Sequence, residues 1–245
     1  MTPGIYLHHY LQKLLLNNLS LILNIDTATE SASVCLSDNK RVFALEENQV
    51  QKEHASFVHE AIKKVMNEAG KSLPDVDAIA ITAGPGSYTG LRVGMSTAKG
   101  ICYVLKKPLI TINTLKVMAH AAIDVVGNVE QKSTTLFCPM IDARRLEVFT
   151  ALYNSSLDVV LPPCAMVLDP TSFYEWLENH QVVFFGSGAH KFENISNYTN
   201  VVIKNILHSA VHLGYLAQIA FMNSTFANLA YVEPVYLKDF HSTQK

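Results

Sequence analysis

The chain is poor in the residues that announce chemistry most directly. Its four cysteines, Cys35, Cys102, Cys138 and Cys164, form no CxxC pair, which excludes a redox motif and a cysteine-rich zinc site. Three of them stand in apolar runs and read as reduced core residues of a cytoplasmic protein, not as a disulfide framework. No HExxH or HxxxH pair lies on a well-marked helix, and His54 and His59, five apart, do not share a face. No metal is expected. A GxSxG elbow is missing, as is a cysteine set beside a histidine in a motif. Basic charge is scarce as well: 19 Lys and Arg against 21 Asp and Glu leave a formal net charge of -2. Such a chain has no broad basic field for binding nucleic acid by itself, although a local basic patch stays open.

Long apolar runs are also wanting. Leu14-Leu15-Leu16 and Leu19 to Leu23 lie among His8, His9, Lys13, Asn17 and Asn18, and no uninterrupted stretch reaches membrane-spanning length. Neither a positively charged n-region nor a small-residue cleavage site is present. Residues 1–20 read as a non-core extension feeding the first strand, or as the product of an upstream start codon.

Core material, by contrast, is plentiful. Hydrophobic residues make up 49% of the 245 and charged residues 16%, values of a globular protein with one large domain or two small ones. Leu21 to Asp26 reads as a strand, followed by strands Ala32 to Ser37 and Arg41 to Glu46 joined at Asp38-Asn39-Lys40. A helix from Glu53 to Ala69 ends at Gly70, where a C-cap glycine belongs. Strand Ala78 to Thr82, helix Thr89 to Leu105, strand Leu109 to Ile112 and helix Leu115 to Val126 complete this half, which closes at Gly127-Asn128. The second half repeats the opening: Leu136 to Asp142, Leu146 to Tyr153 and Val159 to Leu161 as strands. After them come a helix at Phe173 to His180, strands at Val182 to Phe185 and Val201 to Ile206, and a helix from Ser209 to Ala227. The pattern predicts a duplicated α/β unit with a reduced second half.

Between the strand ending at Thr82 and the next helix lies Ala83-Gly84-Pro85-Gly86-Ser87-Tyr88-Thr89-Gly90-Leu91-Arg92-Val93-Gly94. It is neither a P-loop, since Leu91-Arg92 follow Gly90, nor a dinucleotide fingerprint. Two readings fit it: an anion cradle at a helix start, or a tight strand-to-helix corner. The corner is favoured. Asp26 and Asp142 end equivalent strands, where ligands bind in open α/β sheets, but either also fits a turn-capping role. After Asp142, the bulky Arg144 and Arg145 stand where a phosphate-gripping hairpin needs glycines. Gly94, Ala98 and, one face over, Gly100 leave room for a close helix neighbour.

Taken together, Ile25-Asp26-Thr27-Ala28-Thr29-Glu30, Glu53-His54-Ala55, the glycine segment, Lys99-Gly100, Pro108-Leu109-Ile110, Asn113-Thr114-Leu115, Pro139 to Arg145 and the closing Glu233-Pro234-Val235-Tyr236-Leu237 resemble the TsaB (YeaZ) family. The resemblance runs through most of Leu21 to about Val159. It implies a duplicated ribonuclease-H-like fold of the actin/sugar-kinase/Hsp70 type, divided as 21–128, a smaller 129–208, and a C-terminal helix and tail, 209–245, of which the helix packs back on the first domain. It implies a part in making threonylcarbamoyladenosine beside the anticodon of tRNA. The catalytic relative TsaD carries a His-Met-Glu-Gly-His metal motif where this chain has Thr114-Leu115-Lys116-Val117-Met118. Thr and Met do not replace imidazole, so the resemblance implies an accessory subunit that is not catalytic alone.

The same resemblance implies pairing with TsaD, or with a second copy when alone, through the two helices flanking the glycine segment. TsaE is met through the TsaB–TsaD assembly, tRNA only indirectly, and a membrane not at all. No tightly bound cofactor is expected, with ATP or ADP confined to an interface with TsaD. The small and apolar residues there place the interface on Phe57, Val58, Ala61, Leu91, Gly94, Met95 and Ala98, around a corner of Gly84, Gly86, Ser87 and Gly90. On this placement, Gly94→Arg abolishes association and leaves the monomer folded. A rival reading is an ATP-dependent kinase using Asp26, Thr27, Gly186 and Gly188 around a nucleotide. A peptidase and a purely structural dimer are two more, the former without a metal pair or nucleophile in its favour.

Overall fold

A computed structural model describes residues 20–39, 41–48, 54–126, 135–198 and 201–238. The N-terminal extension up to residue 19, Lys40 of the expected turn, Glu53 and the Gly127-Asn128 boundary lie outside the described residues. The first unit runs β1 (Ile22–Asp26), β2 (Ala32–Ser37), β3 (Val42–Asn48), α1 (His54–Glu68), β4 (Ala78–Thr82), α2 (Tyr88–Leu105), β5 (Leu109–Ile112) and α3 (Thr114–Val126). The second runs β6 (Thr135–Asp142), β7 (Glu147–Tyr153), β8 (Val159–Val167), α4 (Tyr174–Leu177), β9 (Gln181–Phe185), α5 (Ala189–Ile195), β10 (Val201–Lys204) and α6 (Ala210–Met222).

The two sheets have one plan. The first is ordered β3-β2-β1-β4-β5 and the second, read from its other edge, β8-β7-β6-β9-β10. In each, the first strand pairs antiparallel with the second and parallel with the fourth. The reduction of the second unit falls on its helices: α4 and α5 have 4 and 7 residues where α1 and α2 have 15 and 18.

Strand periodicity sorts the core into layers. Leu23 and Ile25 face α1 and α2, together with Val34, Leu36, Ile79 and Ile81. Ile22, Ala78 and Ala80 face the other way, onto Leu213, Leu216 and Ala217 of α6. The last helix of the second unit therefore packs on the first sheet. Reciprocally, α3 of the first unit lays Leu115, Met118 and Ala122 on Phe137, Tyr153 and Phe185 of the second sheet. The exchange ties the units together, and α3 and α6 also touch each other. Gln218 on α6 donates to the Ser20 carbonyl at 2.7 Å, and the Ala210 amide donates to Ser33 Oγ at 2.8 Å.

Helix ends follow local chemistry. Gly70, at φ +61°, ends α1 with Lys71 N donating to Met66 O. Ser209 caps α6, its hydroxyl taking the Val211 amide at 3.4 Å. Four elements depart from the sequence reading. Strand β8 extends to Val167 through Pro162-Pro163, which edge position permits: a register shift falls between Leu152↔Leu161 and Thr150↔Cys164, opposite the two prolines. The expected helix Phe173 to His180 is a single turn, and α5 has no counterpart in the sequence reading because seven residues are too few to display a period. Helix α6 stops at Met222. Among the described residues, no helix is long and apolar enough to cross a membrane.

Candidate docking face and glycine corner

The glycine segment turns the chain from β4 into α2, and five segments meet there. Gly84 sits at φ +112°, and a Cβ on it lies 2.5 Å from the Val235 carbonyl oxygen. That carbonyl belongs to a C-terminal strap whose Val235 amide donates to Ala83 O at 2.7 Å. Gly86 presses on the Ala28 carbonyl after β1, to which Ser87 N donates at 2.7 Å. The Ser87 hydroxyl caps α2 by accepting from Gly90 N at 3.3 Å, and Thr27 Oγ1 donates to Gly90 O at 2.7 Å. A Cβ on Gly94 collides with Thr27 Oγ1. From the α3 side, Thr114 N donates to Gly84 O at 2.9 Å. The spaces left by missing side chains hold the chain's own backbone and Thr27. The segment is a packing corner.

Asp26 is buried at the end of β1. Its Oδ1 accepts from Thr82 Oγ1 at 2.8 Å and from Ala28 N at 3.1 Å, while Oδ2 lies 3.5 Å from His208 Nε2. Thr27 is buried and committed to Gly90. In the second unit Asp142 is exposed instead. Its Oδ1 takes the Arg144 amide at 2.6 Å and Lys191 Nζ at 2.7 Å. Burial pulls this carboxyl's pKa upward, but the Lys191 and Arg144 hydrogen bonds outweigh it and hold the group below the usual carboxylate range. Gly186, at φ +92°, presses on the Met140 carbonyl and on the Met118 methyl, and Gly188 packs on Val148 and Met140. The four nucleotide candidates are thus engaged in the chain's own packing, two in each unit.

The expected docking residues lie elsewhere than on a free surface. Val58, Ala61, Leu91, Gly94, Met95 and Ala98 are buried in the monomer and Phe57 is half-buried. Their apolar stripe is the one that seats α1 and α2 on the first sheet, so it is not available to a partner. Gly94→Arg correspondingly strikes Thr27 and Ile81 within the fold. The outward side of the same helices holds a groove of about 640 Å³, with His59, Lys63 and Asn67 on α1 and Ser96, Thr97 and Gly100 on α2 among its lining residues. Beyond Gly100, Tyr103 is 80% exposed and Val104 75%. Ser96, Gly100 and Tyr103 share one helical face. Of these, Gly100 was legible as a small residue one face over. The C-terminal strap was visible only as the closing motif Glu233 to Leu237.

A paired 3-2-1-4-5 sheet with exchanged terminal helices defines a duplicated ribonuclease-H-like protein of the actin/sugar-kinase/Hsp70 type. Residues 47–241 match the family described as TsaD: tRNA N6-adenosine threonylcarbamoyltransferase. The tRNA threonylcarbamoyladenosine biosynthesis protein TsaB of Escherichia coli K12 is 29% identical over 225 residues, 89% of this chain and 94% of that one. Its Bacillus subtilis namesake is 30% identical over 173 residues, 67% of this chain and 70% of that one. A solved Pseudomonas aeruginosa structure, of an uncharacterized protein with similarity to peptidase YEAZ, superposes with a TM-score of 0.76 at 25% identity, covering 90% of this chain and 100% of that one. The chain belongs to the TsaB (YeaZ) branch of the TsaD family.

Proposed function

We propose that the chain is a non-catalytic subunit of the assembly that threonylcarbamoylates the adenosine beside the anticodon of tRNA, and that it docks TsaD on the outward face of α1 and α2. Family membership supports the role in tRNA modification, and relatives named tRNA N6-adenosine threonylcarbamoyltransferase, such as that of Zymomonas mobilis at 32% identity over 114 residues, support the partner. The observation that carries docking is the open groove between the two helices, edged by exposed Tyr103 and Val104. Apolar surface of that kind next to small residues suits a partner helix. A stable contact there buries roughly 1,200–2,000 Å² in total.

The accessory role is supported by α3. Thr114 and Met118, four apart on one helical face and both buried, stand where the resemblance to TsaD puts an imidazole pair. A hydroxyl and a thioether are poor ligands for a hard or borderline metal. Alone, the chain closes the same face on a second copy; TsaE joins through the TsaB–TsaD assembly, and ATP or ADP binds only at the interface with TsaD. Gly100→Arg tests the face directly, because a Cβ there meets nothing within 4 Å. Size-exclusion chromatography with TsaD is expected to show association for the unaltered chain and none for the variant. Co-elution of the variant equal to wild type places the contact elsewhere.

A further inference from the structure

The tip of the β6–β7 hairpin combines strained backbone with uncompensated charge. Arg144 has φ 73° and Arg145 φ 47°, a left-handed pair that hairpins normally give to Asn-Gly or Asp-Gly. L residues with side chains adopt it at a cost, and such cost collects at functional sites. The turn is closed by Ala143 N donating to Glu147 O at 3.1 Å and Glu147 N donating to Arg144 O at 3.0 Å. Both arginines are exposed.

The carboxylates beside them are already neutralised. Asp142 holds Lys191 at 2.7 Å and Glu147 holds Lys238 at 2.5 Å. Among the described residues neither Arg144 nor Arg145 has an ion-pair partner, so the tip presents two free guanidiniums on a chain of net charge -2. A second feature adjoins it. Lys238 ends the strap three residues after Val235, a span of at most about 10 Å. Along that strap the Tyr236 ring lies 5.4 Å from that of Tyr88, tilted by 38°, with the Arg92 guanidinium 4.0 Å above the Tyr88 ring. Free guanidiniums beside an exposed tyrosine, Tyr236, suit RNA, where phosphates pair with arginine and unstacked bases with rings.

We propose that Arg144 and Arg145 grip phosphate groups of the RNA substrate, so that this chain touches tRNA directly and not only through its partner. The inference rests on the tRNA-modification reading above. It also explains why two arginines keep a glycine-like conformation: glycine there relaxes the turn but surrenders both charges.

The test uses the full chain, alone and mixed with TsaD, and reads anisotropy of a labelled unmodified tRNA transcript across a salt series. Arg144→Ala with Arg145→Ala is expected to weaken tRNA binding roughly tenfold at low salt and flatten the log–log salt slope by about one to two. Arg144→Lys with Arg145→Lys retains most of the affinity. Arg144→Gly with Arg145→Gly loses it while raising the thermal midpoint. ATP serves as the free-phosphate arm and is expected to be indifferent to all three pairs. The proposal is overturned by unchanged affinity and slope in the alanine pair, by tRNA binding undetectable in both wild-type forms, or by loss confined to ATP. Association with TsaD, followed separately by size exclusion, is unaffected by these substitutions. Failure of that association counts against the docking reading, while the tRNA titration of the chain alone still decides this one.

Discussion

At Gly84 the missing side chain is replaced by the Val235 carbonyl, and the residue's φ of +112° lies where side-chain-bearing residues rarely go. Both facts oppose any substitution. Gly84→Ala is expected to cost about 2 kcal/mol, lowering the thermal midpoint by roughly 4–8 °C at this chain length; an unchanged melting curve refutes the strap contact. Gly94 and Gly100 stand six residues apart on α2 with opposite fates. A side chain on Gly94 meets Thr27 and Ile81, whereas one on Gly100 meets open space. Gly94→Arg is therefore expected to yield little folded protein by circular dichroism. Gly100→Arg gains about 0.5–1 kcal/mol from helix propensity and loses only the groove. Both glycines were visible in the sequence as small residues on one helix. Their difference was not, because it depends on which neighbour each one faces.

At the scale of elements, α1 and α2 show why a docking stripe cannot be read from apolar spacing. The stripe of Val58, Ala61, Val65 and Met66 that defines α1 is the one spent on the first sheet. The outward face is mixed, with His59, Lys63 and Asn67, and carries no periodic signal. The strands were legible nearly to the residue, since alternation and buried apolar runs are local. The short α5 and the proline-bearing β8 were not, one being too brief for a period and the other set by its edge position.

The α3–α6 crossing adds a pH-sensitive element. His120 on α3 and His212 on α6 lie 6.2 Å apart between ring centroids, with Tyr215 4.5 Å from His120. Asp124 faces His120 at 3.5 Å, His208 precedes α6 four residues before His212, and Ser155 and Ser156 of the β7–β8 turn line the same cavity. Burial pushes the pKa of both imidazoles down from 6.5, more than Asp124 raises them, and His120 lowers His212 further. Each is therefore more readily protonated in the unfolded chain. Their stabilisation is fully present above about pH 6.5 and is lost as the pH falls through the folded-state values, at up to ~1.4 kcal/mol per unit for each. Urea midpoints between pH 7.5 and 5 are expected to fall, and less steeply in His120→Gln. Equal slopes contradict the assignment.

Across the whole molecule, the duplicated plan was the most legible property, because Ile25-Asp26 and Ile141-Asp142 end strands that begin the same antiparallel pattern twice. What the pattern did not contain was the packing of α3 on the second sheet and the strap over the glycine corner, both made by residues far apart in sequence; the return of the C-terminal helix to the first domain came only from the family resemblance. The ends of β1, β4 and β9 are closed by the chain's own groups: Asp26 by Thr82 and Ala28, Gly84 by Val235, Gly186 by Met140 and Met118. Among the described residues the groove on α1 and α2 stays open, as does the cavity at the α3–α6 crossing.

Threonylcarbamoylation of tRNA in a reconstituted mixture containing TsaD, with this chain supplied, omitted or replaced by Gly100→Arg, tests that account most directly. Modification is expected only with the wild-type chain and TsaD together, and is lost with the variant although its melting curve is undiminished. Modified tRNA made by the chain without TsaD, or full activity from the variant, contradicts it.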